Sequence, residues 1–499
     1  MTMTDFASTY DTSLTYDEMF DEHGQVRSAY ESVLKVFNAL QLNEFDERGQ
    51  MRDQAFRDQG ITFSYSGEER PWPLDLIPRI ITAKEWSVIE KGIIQRVSAL
   101  ELFLEDIYTD GNIIDDGVIP RRVIATSSHF HRNAHGFSPS NGVRVHVAGI
   151  DLVRDSSGKF VVLEDNLRCP SGISYVLENR RATSHVFPEI FQSNHIRSVN
   201  EYPQKLLNAL LASAPRGIDN PTVVVMTPGV HNSAYFEHAF LARQMGVELV
   251  EGRDLVVLDN KVFMKTTKSM KRVDVIYRRV DDDFIDPLQF LPYSTLGVAG
   301  IINSARSGNV TIANAVGNGV ADDKLVYSYM PAIIEYYLGE KPLIENVETF
   351  RLDNPDIRKY ALENRSSLVF KPVDASGGYG LVIGPHATAE ELDQVANNVE
   401  ADPRGYIAQP VVQLSTSPTY DGTSISPRHV DLRPFVINDG TSKWAVPGGL
   451  TRVALPKGSL VVNSSQGGGS KDTWVLQDST EETSKGALQQ SQQQQQQQQ

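Results

Sequence analysis

Acidic and amide side chains recur at close spacing around residues 151 to 166, within a stretch rich in apolar residues. Asp151 lies in the run Val143–Val153, and Glu164 and Asn166 follow the run Phe160–Leu163. Carboxylate and amide oxygens are ligands that suit Mg²⁺, which commonly binds one or two protein carboxylates together with substrate phosphates. The spacing therefore predicts a magnesium site formed by these three side chains.

A lysine followed by a glycine-rich segment forms a second group of chemical interest. Lys371 lies in the apolar run Ser367–Pro372, and the segment Ala375-Ser-Gly-Gly-Tyr-Gly380 follows it closely. A lysine at a strand end supplies a point charge for phosphate oxygens, and glycines let backbone N–H groups approach a polyanion. Lys324, after Gly317-Asn-Gly-Val-Ala-Asp-Asp323, is a candidate second phosphate contact; an exposed turn lysine is the alternative.

Other motifs argue against several familiar sites. The segment Gly467-Gly-Gly-Ser-Lys471 lacks the Gly-Lys-Ser/Thr ending of a phosphate-binding loop, and no Gly-x-Gly-x-x-Gly follows a strand. His129, His131 and His135 have no carboxylate at a fixed metal-ligand spacing, so we interpret them as ordinary surface or core residues. Cys169 has no neighbouring histidine at nucleophile spacing and is interpreted as a packing residue.

Composition narrows the class of protein further. The 499 residues include 47 Lys+Arg and 63 Asp+Glu, a formal charge of -16, which disfavours a general nucleic-acid binder or a protein of anionic membranes. The single cysteine excludes an internal disulfide. No apolar run approaches the ~20 residues of a membrane helix, and no secretory signal is recognisable. We therefore expect a cytoplasmic enzyme without a nucleic-acid or membrane partner.

The acidic residues require a hairpin to bring them together. The segment Asp155-Ser-Ser-Gly158 favours a turn between two strand-like runs. If the turn is centred on residues 156 and 157, Asp151 lies opposite Val162, and a period of two places Glu164 and Asn166 on the same face. One bulged residue would change this register.

The remaining elements predict an α/β protein. An amphipathic helix is expected over Lys84–Tyr108, where apolar residues recur at steps of three and four. A strand at 221–226, a helix at 234–246 and a strand at 247–250 have the order of a parallel β-α-β unit. Further elements are expected at the following positions: strands at 275–277, 367–372 and 406–412, and a helix at 389–399.

Taken together, these motifs resemble the circularly permuted ATP-grasp type 2 family, which is similar to the synthetase half of glutathionylspermidine synthetase. In usual ATP-grasp enzymes the lysine and its glycine flap precede the metal strands, whereas here they follow by about two hundred residues, as in a circular permutation. The resemblance covers roughly Tyr16 to Leu476. It rests on these blocks: Phe63 with Pro73–Ile81, Val147–Arg154, Leu163–Arg168, Tyr277–Asp282, Ala313–Lys324 and Val461–Lys471.

The resemblance implies an α/β fold with α+β lobes, that is, a circularly permuted ATP-grasp fold with an inserted pre-ATP-grasp parallel βαβ unit and an N-terminal helical segment. The expected segments are 1–16, a disordered N-terminus; 17–120, mainly helical; 121–200, the metal-binding lobe; 201–310, the pre-ATP-grasp-like unit; 311–478, the ATP-binding lobe with its flap; and 479–499, a disordered Gln-rich tail.

The resemblance also assigns roles to residues. Lys324 and Lys371 would hold ATP phosphates, and Asp151, Glu164 and Asn166 would bind Mg²⁺. The remaining ATP contacts would be Ser376, Gly377, Gly378, Tyr379 and Gly380 in the flap, and Gln409, Pro410, Val411 and Val412 in a hinge at the adenine edge. Relatives place a transition-state arginine two residues before the metal aspartate, where this chain has Gly149. Arg168 and Arg278 are the candidate catalytic replacements.

The implied activity is an ATP-dependent carboxylate–amine ligase that forms an acylphosphate and then an amide. A carboxylate on an amino acid, peptide or other small molecule would be one substrate and an amine the other, with ATP and Mg²⁺ as cofactors. Two alternatives stay open: kinase-like transfer to a non-carboxylate acceptor, and a nucleotide-binding partner protein without turnover. No hydrolytic activity is expected, because no Cys-His amidase domain precedes these motifs.

Overall fold

A computed structural model describes residues 10–65, 68–375, 377–422, 424–456, 458–462 and 467–478. In chain order, β1 to β11 are Thr62–Tyr65, Glu68–Pro71, Leu74–Ile81, Val147–Arg154, Phe160–Asn166, Val223–Met226, Glu248–Val250, Leu255–Leu258, Lys261–Lys265, Met270–Val273 and Val275–Arg278. Strands β12 to β22 are Thr311–Ala313, Phe350–Arg351, Leu368–Pro372, Val382–Ile383, Tyr406–Pro410, Thr416–Tyr420, Ile425–Arg433, Phe435–Asn438, Lys443–Ala445, Leu450–Val453 and Gly469–Val475.

The helices flank these strands. The α-helices are Glu31–Ala39, Leu42–Asp58, Ala83–Ile107, Asn112–Asp115, Arg121–Ala125, Ile173–Val186, Pro188–Ser193, Tyr202–Ala212, Tyr235–Met245, Asp282–Ile285, Ile301–Arg306, Lys324–Tyr327, Met330–Leu338, Pro355–Glu363 and Ala389–Ala401. The 3-10 helices are Ser28–Tyr30, Arg132–Ala134, Gly252–Asp254, Asn318–Asp322, Arg365–Ser367, Gly384–His386 and Pro403–Gly405. Within the described residues, no helix is both long and apolar enough to cross a bilayer.

A large central sheet carries the candidate metal ligands. Its described strands follow the order β20-β19-β4-β18-β21-β22-β3, with β5 paired to β4 and β17 paired to β18. β3 joins it in parallel with β22, so the segment 17–120 contributes a strand to the central sheet in addition to its helices. Residues far apart in the chain are therefore neighbours in this sheet.

The hairpin between β4 and β5 differs in register from the prediction. Val162 pairs with Leu152 and not with Asp151, so the strands beside the turn are one residue out of the predicted register. A bulge between Asp151 and Leu152 adds a second residue, and Asp151 therefore pairs with Glu164. An extra residue in one strand moves the residues beyond it to a new partner. Here Gly149 pairs with Asn166, so Glu164 and Asn166 still lie two residues apart on the strand beside Asp151.

The predicted parallel unit is present. β6, β7, β11 and β12 pair in parallel in the order β12-β11-β6-β7, and the helix Tyr235–Met245 connects β6 to β7. An antiparallel meander, β8 to β10, lies within the same chain segment. The four residues of β6 are fully buried, as expected for a strand covered on both faces.

A separate antiparallel sheet, in the order β13-β16-β14-β15, carries Lys371 and the glycine turn. β14 pairs with β16 over its whole length, from Leu368 opposite Pro410 to Pro372 opposite Tyr406. The helix Ala389–Ala401 begins with a capping box at Thr388 and Glu391 and buries Val395 and Val399 against the sheet. We call this unit, residues 350–410, the small lobe.

The helix Ala83–Ile107 confirms the expected amphipathic helix. Its predicted apolar face is buried in the largest hydrophobic cluster and consists of Trp86, Ile89, Ile93, Val97, Leu100, Phe103 and Ile107. A capping box of Thr82 and Glu85 fixes its start.

The prediction of a free N-terminus is wrong for its described part. Tyr10 is buried, its hydroxyl donates to Asp17 at 2.7 Å, and its ring packs against Phe20. Aromatic residues within a polar segment can dock on a folded core, which the composition alone did not indicate. Residues 1–9 and the Gln-rich tail 479–499 lie outside the described residues.

Candidate active site

Two adjoining cavities meet between the central sheet and the small lobe. The smaller, about 140 Å³, is lined by Lys371, the glycine turn and Gln409 to Val412. The larger, about 800 Å³, extends from Asn166 and Arg168 to Glu237 and Arg279. Glu164, Lys324 and Arg452 line both. A ligand spanning the two cavities would pass these three charged side chains.

Asp151 is the most buried member of the predicted metal group. Its side chain has no exposed surface, and its two oxygens accept from Arg433 and Arg452, with 2.7 Å from Arg433 Nη2 and 2.6 Å from Arg452 Nη2 to Oδ2. Burial alone would raise the pKa of this carboxyl, but the two guanidinium groups outweigh it and hold the pKa below the usual range. Asp151 is therefore an anion at neutral pH.

The other predicted ligands lie beside Asp151. The Asn166 amide nitrogen is 3.5 Å from Asp151 Oδ1. Glu164 lies 3.7 Å from Arg433 Nη2 and 3.5 Å from Lys324 Nζ. The structure thus brings together the three side chains that the hairpin was predicted to align, together with a lysine from more than 150 residues further along the chain.

The donor set suits Mg²⁺. Among the described residues, no three His, Cys, Asp or Glu side chains form a group that could by itself hold a metal ion. Two carboxylates and one amide oxygen leave coordination positions for phosphate oxygens, the arrangement in which Mg²⁺ binds a nucleotide. Asp151, Glu164 and Asn166 therefore fit a nucleotide-bound Mg²⁺.

Both predicted phosphate lysines reach the cavities. Burial lowers the pKa of Lys371 to about 8, and Glu164 opposes this shift. Lys324 donates from Nζ to the carbonyl of Ala375 at 2.6 Å and from its backbone N–H to Val373. Lys324 therefore also holds the base of the glycine turn against the body of the protein.

The glycine turn and the hinge face each other across the smaller cavity. Gly377, Gly378 and Gly380 have positive φ values of 67°, 77° and 71°, and the Tyr379 side chain is exposed. Opposite them lie Gln409, whose amide donates to Thr349 at 2.9 Å, and Pro410, Val411 and Val412. Ser376 lies outside the described residues. The apolar hinge side provides a surface for a planar ring.

The two candidate catalytic arginines have different surroundings. Arg168 lines the larger cavity and pairs with Asp281 at 2.8 Å and Asp322 at 3.7 Å. Arg278 is fully buried and donates to the backbone carbonyls of Asn314, Ala315 and Val280 while pairing with Asp282.

The structure therefore places Arg278 outside both cavity linings. Its role is to hold the ends of β11 and β12 together, and we do not assign it a catalytic role.

Three charged residues of the site were missed by the sequence analysis. Asp431 and Arg433 lie on β18 and Arg452 lies on β21, and Arg452 pairs with both Asp151 and Asp431. Charged residues directly beside apolar ones in a strand-like run were the available signal. Asp431-Leu-Arg433 and Leu450-Thr-Arg-Val453 both show it. Asp151, the partner of Arg433 and Arg452, is about 280 and 300 residues away from them, so no local pattern connects these charges.

Asp322 adds an acid with an unusual environment. It lines the larger cavity, accepts from the Leu167 backbone N–H at 2.6 Å and lies beside Arg168. Burial raises the pKa of this carboxyl to about 7, and the nearby Arg168 opposes that rise.

The arrangement of central sheet, parallel unit and small lobe is that of an ATP-grasp fold. A family model described as circularly permuted ATP-grasp type 2 matches residues 78–454. The chain belongs to this family. A solved structure of a glutathione synthetase-like effector from Globodera pallida shares the fold, with a TM-score of 0.57, 12% identity and coverage of 88% of this chain and 98% of that one.

Relatives extend over nearly the whole chain. An uncharacterized Mycobacterium leprae protein, ML0605, is 59% identical over 464 residues, which cover 93% of this chain and 83% of that protein. A Frankia alni protein with the provisional name glutamate–cysteine ligase 2-3 is 45% identical over 464 residues, covering 92% of this chain and 54% of that protein.

Proposed function

We propose that the protein is an ATP-dependent carboxylate–amine ligase that activates its carboxylate substrate as an acylphosphate. The observation that carries this proposal is the grouping of charges around the two cavities. Glu164 and Lys324 line both cavities, Lys371 lines the smaller one and Asn166 the larger one, and the buried Asp151 lies beside Asn166. A nucleotide in the smaller cavity would direct its terminal phosphate toward the larger one. The larger cavity then has room for the two further substrates.

Phosphoryl transfer is the first step. A substrate carboxylate oxygen attacks the γ-phosphorus of ATP, the bond to the β-γ bridging oxygen breaks, and ADP leaves. Lys324 and Lys371 would neutralise charge on the phosphate oxygens, and Asp151, Glu164 and Asn166 would hold Mg²⁺. The ion would supply positive charge against the negative charge that develops on the phosphate oxygens during transfer. Catalysis of this type depends on positioning and electrostatics.

Amide formation is the second step. The amine nitrogen attacks the acyl carbon, phosphate leaves, and the nitrogen loses a proton. Asp322 in the larger cavity is a candidate acceptor for that proton, because a carboxyl whose pKa lies near 7 is a base of suitable strength at neutral pH. The glycine turn must also exclude water, since hydrolysis of the acylphosphate would consume ATP without forming a product.

The relatives supply a first pair of substrates to test. The name of the Frankia alni protein refers to glutamate and cysteine. The chain matches about half of that protein, so its named activity need not reside in the matched half. We therefore treat L-glutamate and L-cysteine as the first carboxylate and amine, within wider pools of amino acids, peptides and polyamines.

The test is to incubate the purified protein with ATP, Mg²⁺ and these pools, and to follow ADP, phosphate and new products by mass spectrometry. A ligase gives ADP, phosphate and an amide, and added hydroxylamine traps the acylphosphate as a hydroxamate. ADP with a phosphoester would replace the ligase by a kinase-like transferase. ATP binding without any turnover would favour a nucleotide-binding partner protein.

A further inference from the structure

Arg433 lies at the break between two consecutive strands of the central sheet. It is the last residue of β18, and Pro434 separates it from β19, which pairs with β4. Its guanidinium contacts both oxygens of Asp151 and lies 3.7 Å from Glu164. Its Nη1 donates to the Ser171 carbonyl at 3.3 Å. These contacts fix the guanidinium above the candidate metal ligands.

Gly149 makes room for this side chain. A β-carbon at Gly149 would lie 3.3 Å from Arg433 Cδ and 3.1 Å from Pro170 Cβ. The φ of Gly149 is not among the positive values, so the backbone does not require a glycine there. The requirement is space, because the aliphatic stem of Arg433 crosses β4 at this point.

The position of Arg433 differs from that of the second arginine. Arg452 lines both cavities, whereas Arg433 lines only the larger one, and 13% of its side chain is exposed. Asp151 would keep Arg452 as a partner if Arg433 turned toward a ligand. The guanidinium is a planar cation that faces the larger cavity, where the acceptor substrate would lie. Such a cation can bind a carboxylate or phosphoryl group through two parallel hydrogen bonds.

We propose that Arg433 is a catalytic residue that binds the acceptor carboxylate and the phosphoryl group during its transfer, reaching the site from β18 through the space above Gly149. This rests on the proposed ligase function. The guanidinium would stabilise negative charge shared between the attacking oxygen and the γ-phosphoryl oxygens. It transfers no proton and forms no covalent bond.

The first test is Arg433→Lys, which keeps the positive charge beside Asp151 but removes the planar fork. We expect kcat for ADP formation, measured with the acceptor that supports turnover, to fall roughly 100-fold or more. MgADP affinity by calorimetry and the urea unfolding midpoint should stay close to wild type. Arg428→Lys is the matched control, because Arg428 lies on the same strand but donates to the Leu455 carbonyl outside both cavities.

The second test moves the guanidinium to the neighbouring strand. In Arg433→Ala the stem contact at 3.3 Å is removed, and Gly149→Arg in that background can direct a new side chain into the vacated volume once Pro170, whose Cβ lies 3.1 Å from the new β-carbon, shifts slightly. We expect this double variant to recover at least tenfold in kcat over Arg433→Ala. We expect Gly149→Arg alone to lower kcat, because the introduced side chain and the stem of Arg433 would compete for the same space.

These outcomes separate the two proposals. Wild-type protein that binds ATP but forms no ADP with any acceptor would refute the ligase function itself. If wild type turns over and Arg433→Lys retains kcat within about threefold, Arg433 is not catalytic. A loss in Arg433→Lys that is accompanied by equal losses of MgADP affinity and unfolding midpoint would assign Arg433 a structural role instead.

Discussion

At the scale of single residues, a substitution at Glu164 tests whether this carboxylate is a metal ligand or an ordinary acid. It lies on β5 between Lys324 and Arg433, at the junction of both cavities. Glu164→Gln keeps the size of the side chain but removes one negative ligand.

We expect Glu164→Gln to lower ATP turnover by roughly 100-fold or more at saturating Mg²⁺, because a direct electrostatic partner commonly contributes several kcal/mol to the transition state. The unfolding midpoint should change little. Glu345→Gln, on an exposed residue paired with Lys159, is the control and should retain wild-type turnover. Unchanged turnover in Glu164→Gln would remove Glu164 from the metal site.

Lys371 tests the nucleotide position. Its ammonium has no ion-pair partner within 4 Å among the described residues, although Glu164 is near enough to affect its pKa. Lys371→Met keeps most of the stem but removes the ammonium group. We therefore expect ATP affinity to fall about 30-fold, on the scale of ~2 kcal/mol for a charged hydrogen bond. The apoprotein should be equally or more stable. Calorimetry measures both the ATP affinity and the stability, with Lys359→Met as the control. Equal ATP affinities of the wild type and Lys371→Met would exclude Lys371 from the site.

The lowered pKa of Lys371 also predicts a pH dependence. With a pKa of about 8 in the apoprotein, the lysine is partly neutral at pH 8 to 9, and ATP phosphates would favour its protonated form. We therefore expect proton uptake on ATP binding in this range and weaker affinity as the pH rises further. Calorimetry in buffers of different ionisation enthalpy measures the uptake, which should be absent in Lys371→Met.

At the scale of elements, the glycine turn depends on two different properties of Gly380. Its φ is +71°, and a β-carbon there would lie 2.9 Å from Pro372 Cγ, next to Lys371. Gly339, at the end of the helix Met330–Leu338, has a similar φ of +66° but no atom within 4 Å of such a β-carbon. The pair therefore separates backbone strain from contact with the site.

Gly380→Ala should weaken ATP binding about tenfold, because the turn must shift to relieve both strain and contact. Gly339→Ala should cost a comparable amount of folding stability, about 1 kcal/mol, and leave ATP affinity unchanged. Calorimetric titration and urea unfolding of both variants provide the comparison. Equal ATP affinities in the two variants would count against a role of this turn in nucleotide binding.

At the scale of the whole molecule, the N-terminal segment is joined to the central sheet by buried charges. The Glu18 carboxylate is 2.5 Å from Arg79 Nη2 on β3 and 3.2 Å from Arg154 Nε on β4, and it accepts from Ser415. Burial would raise the pKa of Glu18, but Arg154 and Arg79 lower it below 4.5.

Glu18→Gln would leave two buried guanidinium groups without their shared anion, and we expect it to destabilise the protein by about 3 kcal/mol at pH 7. Because the folded-state pKa is lowered, this contribution is present above pH 4.5 and is lost as the pH falls through the folded-state value. Urea unfolding at pH 7 and at lower pH measures both effects, with Glu22→Gln at the exposed surface as the control. Equal unfolding midpoints of the wild type and Glu18→Gln at pH 7 would contradict the expected loss of stability.

The sequence determined much of the local structure. Apolar periodicity identified the helix Ala83–Ile107, and the order of elements identified the parallel unit around β6 and β7, because both signals are contained within short stretches of chain. The same holds for the spacing of Asp151, Glu164 and Asn166. Their common face survives because the one-residue shift of the turn and the one-residue bulge add to a shift of two residues, which is one full period of a strand.

Only the tertiary structure decided which charges meet. Arg433 and Arg452 reach Asp151 from strands about 280 and 300 positions later, whereas Arg278, a candidate replacement for the arginine that the family resemblance implied, is enclosed by backbone carbonyls. Strand order in a sheet is set by long-range pairing and shared burial, which leave no periodic signal near either partner. For the same reason, the space that Gly149 leaves for Arg433 is visible only once β4 and β18 lie side by side.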